Sequence, residues 1–97
     1  MTEMEIYTDL SPAMAIPPGE TLRDEIRERG ITQTELAARM GRPAKVISQI
    51  MNGKKSITAD TAIQLESELD GISAMFWLRL EARYRLALAR EEASATA

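Results

Sequence analysis

Between positions 44 and 52 the side chains Ala44, Lys45, Ser48, Gln49 and Asn52 recur at intervals of one and three to four residues. That spacing places them on one face of a helix. The chemistry they offer is hydrogen bonding to planar edges rather than bond making. A glutamine pairs bidentately with adenine, a lysine donates to guanine, a serine serves either, and an alanine methyl meets the thymine methyl. Arg42, Lys54 and Lys55 flank this face and suit phosphate oxygens. Gln33, with the free N–H groups at the start of the preceding helix, suits the same partner.

Other chemistries are poorly supplied. The 97 residues contain no histidine and no cysteine. Without them nearly all nucleophile–base dyads, transition-metal sites and disulfides drop out. No motif points to an all-carboxylate site. An enzyme, a metal, a cofactor and a small-molecule substrate are therefore not expected. The start, Met1-Thr2-Glu3-Met4-Glu5, is acidic and unlike a signal peptide. No run approaches the roughly 20 apolar residues of a membrane span. The expected compartment is the cytoplasm.

Net charge is −3, but it is unevenly spread. From Leu36 to Ala59 there are five basic residues (Arg39, Arg42, Lys45, Lys54, Lys55) and no acidic one. The remainder holds 7 basic and 15 acidic residues. A basic segment inside an acidic protein is a local electrostatic footprint for a polyanion.

The elements that must position these residues are helices. Residues 1–16 read as an arm or a short edge strand, with Ile6, Tyr7, Leu10, Met14 and Ile16 following no sustained period. Pro17-Pro18-Gly19 marks a boundary. A first helix is expected over Glu20 to Arg29, with Leu22 and Ile26 inward and Glu25 placed to pair with Arg29. Gly30 ends it. Thr32 and Glu35 form a capping-box pattern, and Ile31 with Leu36 a hydrophobic staple, so a second helix starts at Gln33 and runs to Met40. Gly41-Arg42-Pro43 supplies a left-handed turn and then a helix-starting proline. The third helix covers Pro43 to Met51, with Val46, Ile47 and Ile50 apolar, and Asn52-Gly53 stops it. Thr58 caps a fourth (59–70) whose expected core residues are Ile63, Leu65 and Leu69. Ser73 caps a fifth (73–90), and 91–97 reads as a flexible tail. The expected fold is all-α with five helices, one domain over 17–90, and a helix-turn-helix over 32–52 whose second helix enters the major groove. Leu36, Met40, Ile47 and Ile50 fill the space inside that motif, and Ala37 allows close helix approach.

The stretches Thr-Gln-Thr-Glu-Leu-Ala-Ala-Arg-Met-Gly (32–41) and Val-Ile-Ser-Gln-Ile-Met-Asn-Gly-Lys (46–54) resemble the lambda-repressor-like class of bacterial and phage regulators. Pro-Gly-Glu (18–20), Asn-Gly-Lys-Lys-Ser-Ile-Thr-Ala-Asp-Thr-Ala (52–62) and Phe-Trp-Leu-Arg-Leu (76–80) resemble, more narrowly, the HigA/VapI antitoxins of type II toxin–antitoxin modules. Many members carry His-Pro-Gly-Glu where this chain has Pro17-Pro18-Gly19-Glu20. The resemblance implies a homodimer that binds double-stranded operator DNA in its own promoter. It also implies direct binding to a HigB-type ribonuclease toxin, which this chain would neutralise. Matched position by position, the DNA-contacting residues fall on Gln33, Ala44, Lys45, Ser48, Gln49 and Asn52. A stand-alone chromosomal or phage regulator with no toxin is the alternative, and a protein-interaction module that binds no DNA is a third reading.

Along the last helix Trp77, Leu80, Tyr84 and Leu88 recur at spacings of three and four, with Phe76 beside them. This stripe reads as core. If it is wider than one protomer covers, the last helix becomes the dimer interface through Trp77, Leu80, Tyr84 and Leu88. Arg79, Arg83 and Arg90 interleave with Glu81, Glu91 and Glu92, which reads as a solvated, salt-bridged face. Glu66, Glu68 and Asp70 are open to two readings, a contact for a basic ribonuclease or an ordinary polar surface.

Overall fold

The computed structural model describes residues 16–96, which form five helices and no strand. They are α1 (Pro18–Glu28), α2 (Gln33–Met40), α3 (Ala44–Met51), α4 (Ala59–Glu68) and α5 (Ala74–Thr96). Apart from Ile16, the arm expected over 1–16 lies outside the described residues. No described helix is long and apolar enough to cross a membrane.

The first helix starts two residues earlier than its expected boundary. Pro17 caps it at φ −61° and ψ 143°, and Pro18 is its first residue. A proline there costs nothing, because the amide it lacks would have had no helical partner. Gly19 then sits inside the first turn instead of breaking it. It is buried, and a Cβ built on it would fall 2.1 Å from the Met51 carbonyl oxygen. The glycine lets the start of α1 lie directly against the end of α3.

Between α2 and α3 the chain turns as expected. The Glu35 N–H donates to Thr32 Oγ1 at 3.0 Å and the Thr32 N–H donates to Glu35 Oε1 at 2.9 Å, completing the capping box. Gly41 takes φ 65°. With it, the Arg42 N–H reaches the Ala37 carbonyl at 2.9 Å and the Gly41 N–H the Ala38 carbonyl at 3.1 Å. These two bonds are a Schellman termination, which needs the left-handed region that glycine enters at no steric cost. Pro43 caps α3 rather than entering it, so that helix starts one residue later, at Ala44.

One core joins all five helices. It contains Leu22 and Ile26 from α1, Leu36, Ala37 and Met40 from α2, and Ile47, Ile50 and Met51 from α3, closed by Ile57, Ala62, Leu65, Leu69 and Trp77. On α4 the expected set was partly misplaced. Leu65 and Leu69 are buried, but Ile63 is 58% exposed and Thr61 and Ala62 face inward instead. Residues 62, 65 and 69 share a face, and position 63 is turned about 100° away from 62. The fourth helix ends at Glu68 because Leu69 leaves helical geometry, at φ −119° and ψ 90°.

Ser73 Oγ accepts the Phe76 N–H at 3.1 Å, as an N-cap does, and Glu66 Oε2 accepts the Ala74 N–H at 2.9 Å. The fifth helix continues beyond the expected end at Arg90, through Glu91, Glu92 and Ala93 to Thr96. Glutamate and alanine are strong helix formers, and no proline or glycine interrupts them. Trp77 is 0% exposed, and its buried indole N–H finds no acceptor, so the ring is held by its apolar area.

Gly19→Ala tests the α1–α3 contact. A helix-interior alanine would normally gain about 0.5–1 kcal/mol over glycine. Here the methyl meets backbone that cannot rotate away, and overpacking of that kind costs about 1–3 kcal/mol or more. A lower urea midpoint is expected, with a net loss of about 1–2 kcal/mol; a stabilised variant would show that α1 can shift freely off Met51.

Candidate nucleic-acid interface

The inner face of α3 is fixed by burial of Ile47, Ile50 and Met51. Its outer face therefore has to carry the remaining residues. Ala44, Lys45 and Asn52 are exposed, and Ser48 and Gln49 are half-buried between them. Asn52 Nδ2 lies 3.5 Å from Ser48 Oγ, at the limit of a hydrogen bond, so the two side chains adjoin one turn apart. No side chain caps the N-terminus of α3, since Pro43 offers none. The start of the helix thus presents its first amides and positive dipole end beside Lys45.

Past α3, the Lys54 N–H donates to the Gln49 carbonyl at 2.9 Å and the Lys55 N–H to the same oxygen at 3.2 Å. Both lysine side chains are exposed. The backbone that carries them is thereby tied to the helix that carries Gln49. Gln33, first residue of α2, is half-buried.

Two expected contacts are modified by the structure. Arg42 is half-buried, and its Nε donates to Gln64 Oε1, while Gln64 Nε2 donates to the Met40 carbonyl at 2.9 Å. Arg42 therefore helps fasten the turn of the motif to α4. At the start of α2, the Thr32 and Glu35 amides are already taken by the capping box, which leaves fewer free donors there than expected.

The carboxylate of that capping box titrates below its ordinary range. The Thr32 backbone N–H is the main cause, followed by the Thr32 hydroxyl, with a smaller contribution from Arg39 one turn on. The carboxylate is thus held in its ionised form at the start of α2.

Sequence reasoning missed a second set of supporting residues. Glu81, expected on a solvated face, is only 8% exposed. Its Oε1 accepts the Ile57 N–H at 2.9 Å, and its Oε2 pairs with Arg85 Nε. Arg85 Nη2 then donates to the Gly53 carbonyl at 3.1 Å, and its guanidinium lies 5.1 Å from the Tyr84 ring centroid. A glutamate and an arginine at i, i+4 were visible in the sequence, but their backbone partners 24 and 32 residues away were not.

The residues assigned to a dimer face are not brought together on the surface. Trp77 is enclosed within the protomer, Leu80 is half-buried against the core and Tyr84 is half-buried, while Leu88 is exposed along with Phe76 and Leu86. Among the described residues, no cluster of acidic side chains is arranged to hold a metal ion.

Two short helices joined by a glycine turn, with the second helix's inner face in the core and its outer face polar and free of acid, define a helix-turn-helix domain of lambda-repressor-like fold. A helix-turn-helix family model matches residues 22–76. Virulence-associated protein I of Dichelobacter nodosus is 34% identical over 90 residues, covering 92% of this chain and 82% of that protein. Virulence-associated protein A of the same organism is 39% identical over 57 residues, and the match spans only 56% of that protein's length. Among solved structures, the Pseudomonas aeruginosa antitoxin HigA with the higBA promoter superposes with a TM-score of 0.77 at 36% identity, over 84% of this chain and 89% of that one. The chain belongs to the XRE-type helix-turn-helix family, among the HigA/VapI-type antitoxins.

The capping box supplies a pH test. A carboxylate depressed in the folded state stabilises the fold above its unfolded value, and that contribution is lost as pH falls through the folded one. Stability of the wild type should decline on acidification below the ordinary glutamate range, and Glu35→Gln should flatten part of that decline. Parallel urea-unfolding curves for the two proteins across pH 3 to 7 would argue against the Thr32–Glu35 link.

Proposed function

We propose that this chain is a sequence-specific DNA-binding antitoxin that represses its own operon as a homodimer and neutralises a HigB-type ribonuclease toxin by direct binding. The observation that carries the DNA half is the outer face of α3. Lys45, Ser48, Gln49 and Asn52 project from a helix anchored by Ile47 and Ile50, inside a segment free of acidic residues. A relative of the same fold, 36% identical, is described with its promoter DNA. In this reading Gln49, Lys45, Ser48 and Ala44 meet base edges, while Gln33, Arg42, Asn52, Lys54 and Lys55 hold the backbone and set the register.

The toxin half rests on membership of the antitoxin branch rather than on any one surface. The exposed residues Ile63, Met75, Phe76, Leu86 and Leu88 on α4 and α5 are the apolar area on offer to a partner or to a second copy. A regulator without a toxin keeps the same DNA mechanism. A small reading frame beside the gene, toxic alone and harmless when expressed with this chain, separates the two.

The DNA half is tested by binding to the gene's own upstream duplex across a salt series, against a scrambled duplex. Selective binding is expected, with log K falling about 0.9 per log salt for each phosphate neutralised. Within that series Gln49→Ala should cost about 1–3 kcal/mol at the cognate site and relax the preference at one base pair. Lys54→Ala should weaken all sequences alike and flatten the slope by about 1. Indifference to sequence at every salt concentration would leave the fold intact and remove the repressor reading. A sequence-selective loss in Lys54→Ala would reverse its assignment.

A further inference from the structure

We infer that Glu81 and Arg85 are positioning residues for the DNA-facing lysines: α5 grips both ends of the loop that carries Lys54 and Lys55. This deepens the DNA-binding reading and rests on it. The loop leaves α3 at Gly53 and re-enters the core at Ile57, which is 3% exposed. Arg85 holds the first end through the Gly53 carbonyl, at 3.1 Å. Glu81 holds the second through the Ile57 N–H, at 2.9 Å. The ion pair between Glu81 and Arg85 joins the two grips into one unit on adjacent turns of a single helix. Tyr84 lies between them in the chain, and a Cβ on Gly53 would come within 3.5 Å of its hydroxyl, so the loop's first end rests against the ring as well.

Only Lys54, Lys55 and Ser56 lie between the two fixed points, and all three are exposed. Three residues pinned at both ends have little freedom, and ordering them in advance lowers the entropy lost on contact with a phosphate. The direction of the grip matters too. The Gly53 carbonyl and the Ile57 amide are turned inward to α5, and the lysines between them are left exposed.

The test uses the full chain and its upstream duplex, at a temperature where every variant is fully folded by circular dichroism. Glu81→Gln removes one negative charge, so a purely electrostatic role for the pair predicts tighter DNA binding. Positioning predicts the opposite: binding about tenfold weaker, a salt slope flatter by about 1, and faster hydrogen exchange at the Lys54 and Lys55 amides. In a Lys54→Ala/Lys55→Ala background the same substitution should change affinity little, since nothing remains to be positioned. Equal or tighter binding by Glu81→Gln, or an equal loss in both backgrounds, overturns the inference. If Glu81→Gln does not fold, Arg85→Met is read by the same comparison of the two backgrounds. A wild-type chain with no preference for its upstream DNA instead overturns the DNA-binding reading, and this role with it.

Discussion

A carboxylate sits inside this small domain, and groups from two separate parts of the chain keep it satisfied. Burying an ionised group is costly unless every lone pair finds a donor. Glu81 finds the Ile57 amide and the Arg85 guanidinium, one on each oxygen. The pair is not sealed from water, since the Arg85 side chain is 36% exposed. Solvent screening therefore keeps its Coulombic worth modest, nearer the scale of about 0–1 kcal/mol typical of exposed pairs. Its larger effect is geometric. A buried acceptor with one good solution fixes the relation between α5 and the loop after α3, which non-directional packing of Trp77 would not do alone.

The same device recurs at other helix ends. Helices α2 and α3 are each eight residues long, too short to persist in isolation. Their terminal carbonyls are met by groups from elsewhere in the chain. Gln64 donates to Met40 O, and Gly19 lies against Met51 O. Arg85 takes Gly53 O, and Arg29 takes Asp70 O at the end of α4. The three hydrogen bonds satisfy acceptors that helix ends leave open, Gly19 adds a close backbone contact, and all four come from parts of the chain distant in sequence. The motif is thus held as a rigid unit by three surrounding helices, which a face that must meet an external lattice of donors and acceptors requires.

What could be read from the sequence divides along this line. Capping box, Schellman turn and the inner and outer faces of α3 involve residues within about five positions of one another, so type and spacing reveal them. The limits of α2 came out to the residue for that reason. Gly19 was read as a breaker because its real constraint, the Met51 carbonyl, lies 32 positions away. Ile63 was placed in the core by its apolarity, when the register that buries Leu65 and Leu69 turns it outward. Glu81 reads as a surface charge from the sequence because nothing nearby announces the Ile57 amide. Arg42 suited a phosphate by type, and only the fold shows that Gln64 also engages it.

This division bears on how a protein of net charge −3 can present a surface suited to a polyanion. Two carboxylates of the surrounding framework, Glu35 and Glu81, are bonded within the protein. Glu35 closes the cap of α2, and Glu81 is neutralised by Arg85 beneath the loop. Arg85 offsets the charge of Glu81, whereas Glu35, bonded to neutral groups of Thr32, keeps its charge. At physiological ionic strength the Debye length is about 8 Å, so exposed acids farther off are largely screened. The exposed charges on this face are then those of Lys45, Lys54 and Lys55, beside the uncapped start of α3. The internal partners of Glu35 and Glu81 accordingly hold the helix-turn-helix in shape, and Arg85 in addition offsets the charge of Glu81 beside the loop that carries Lys54 and Lys55.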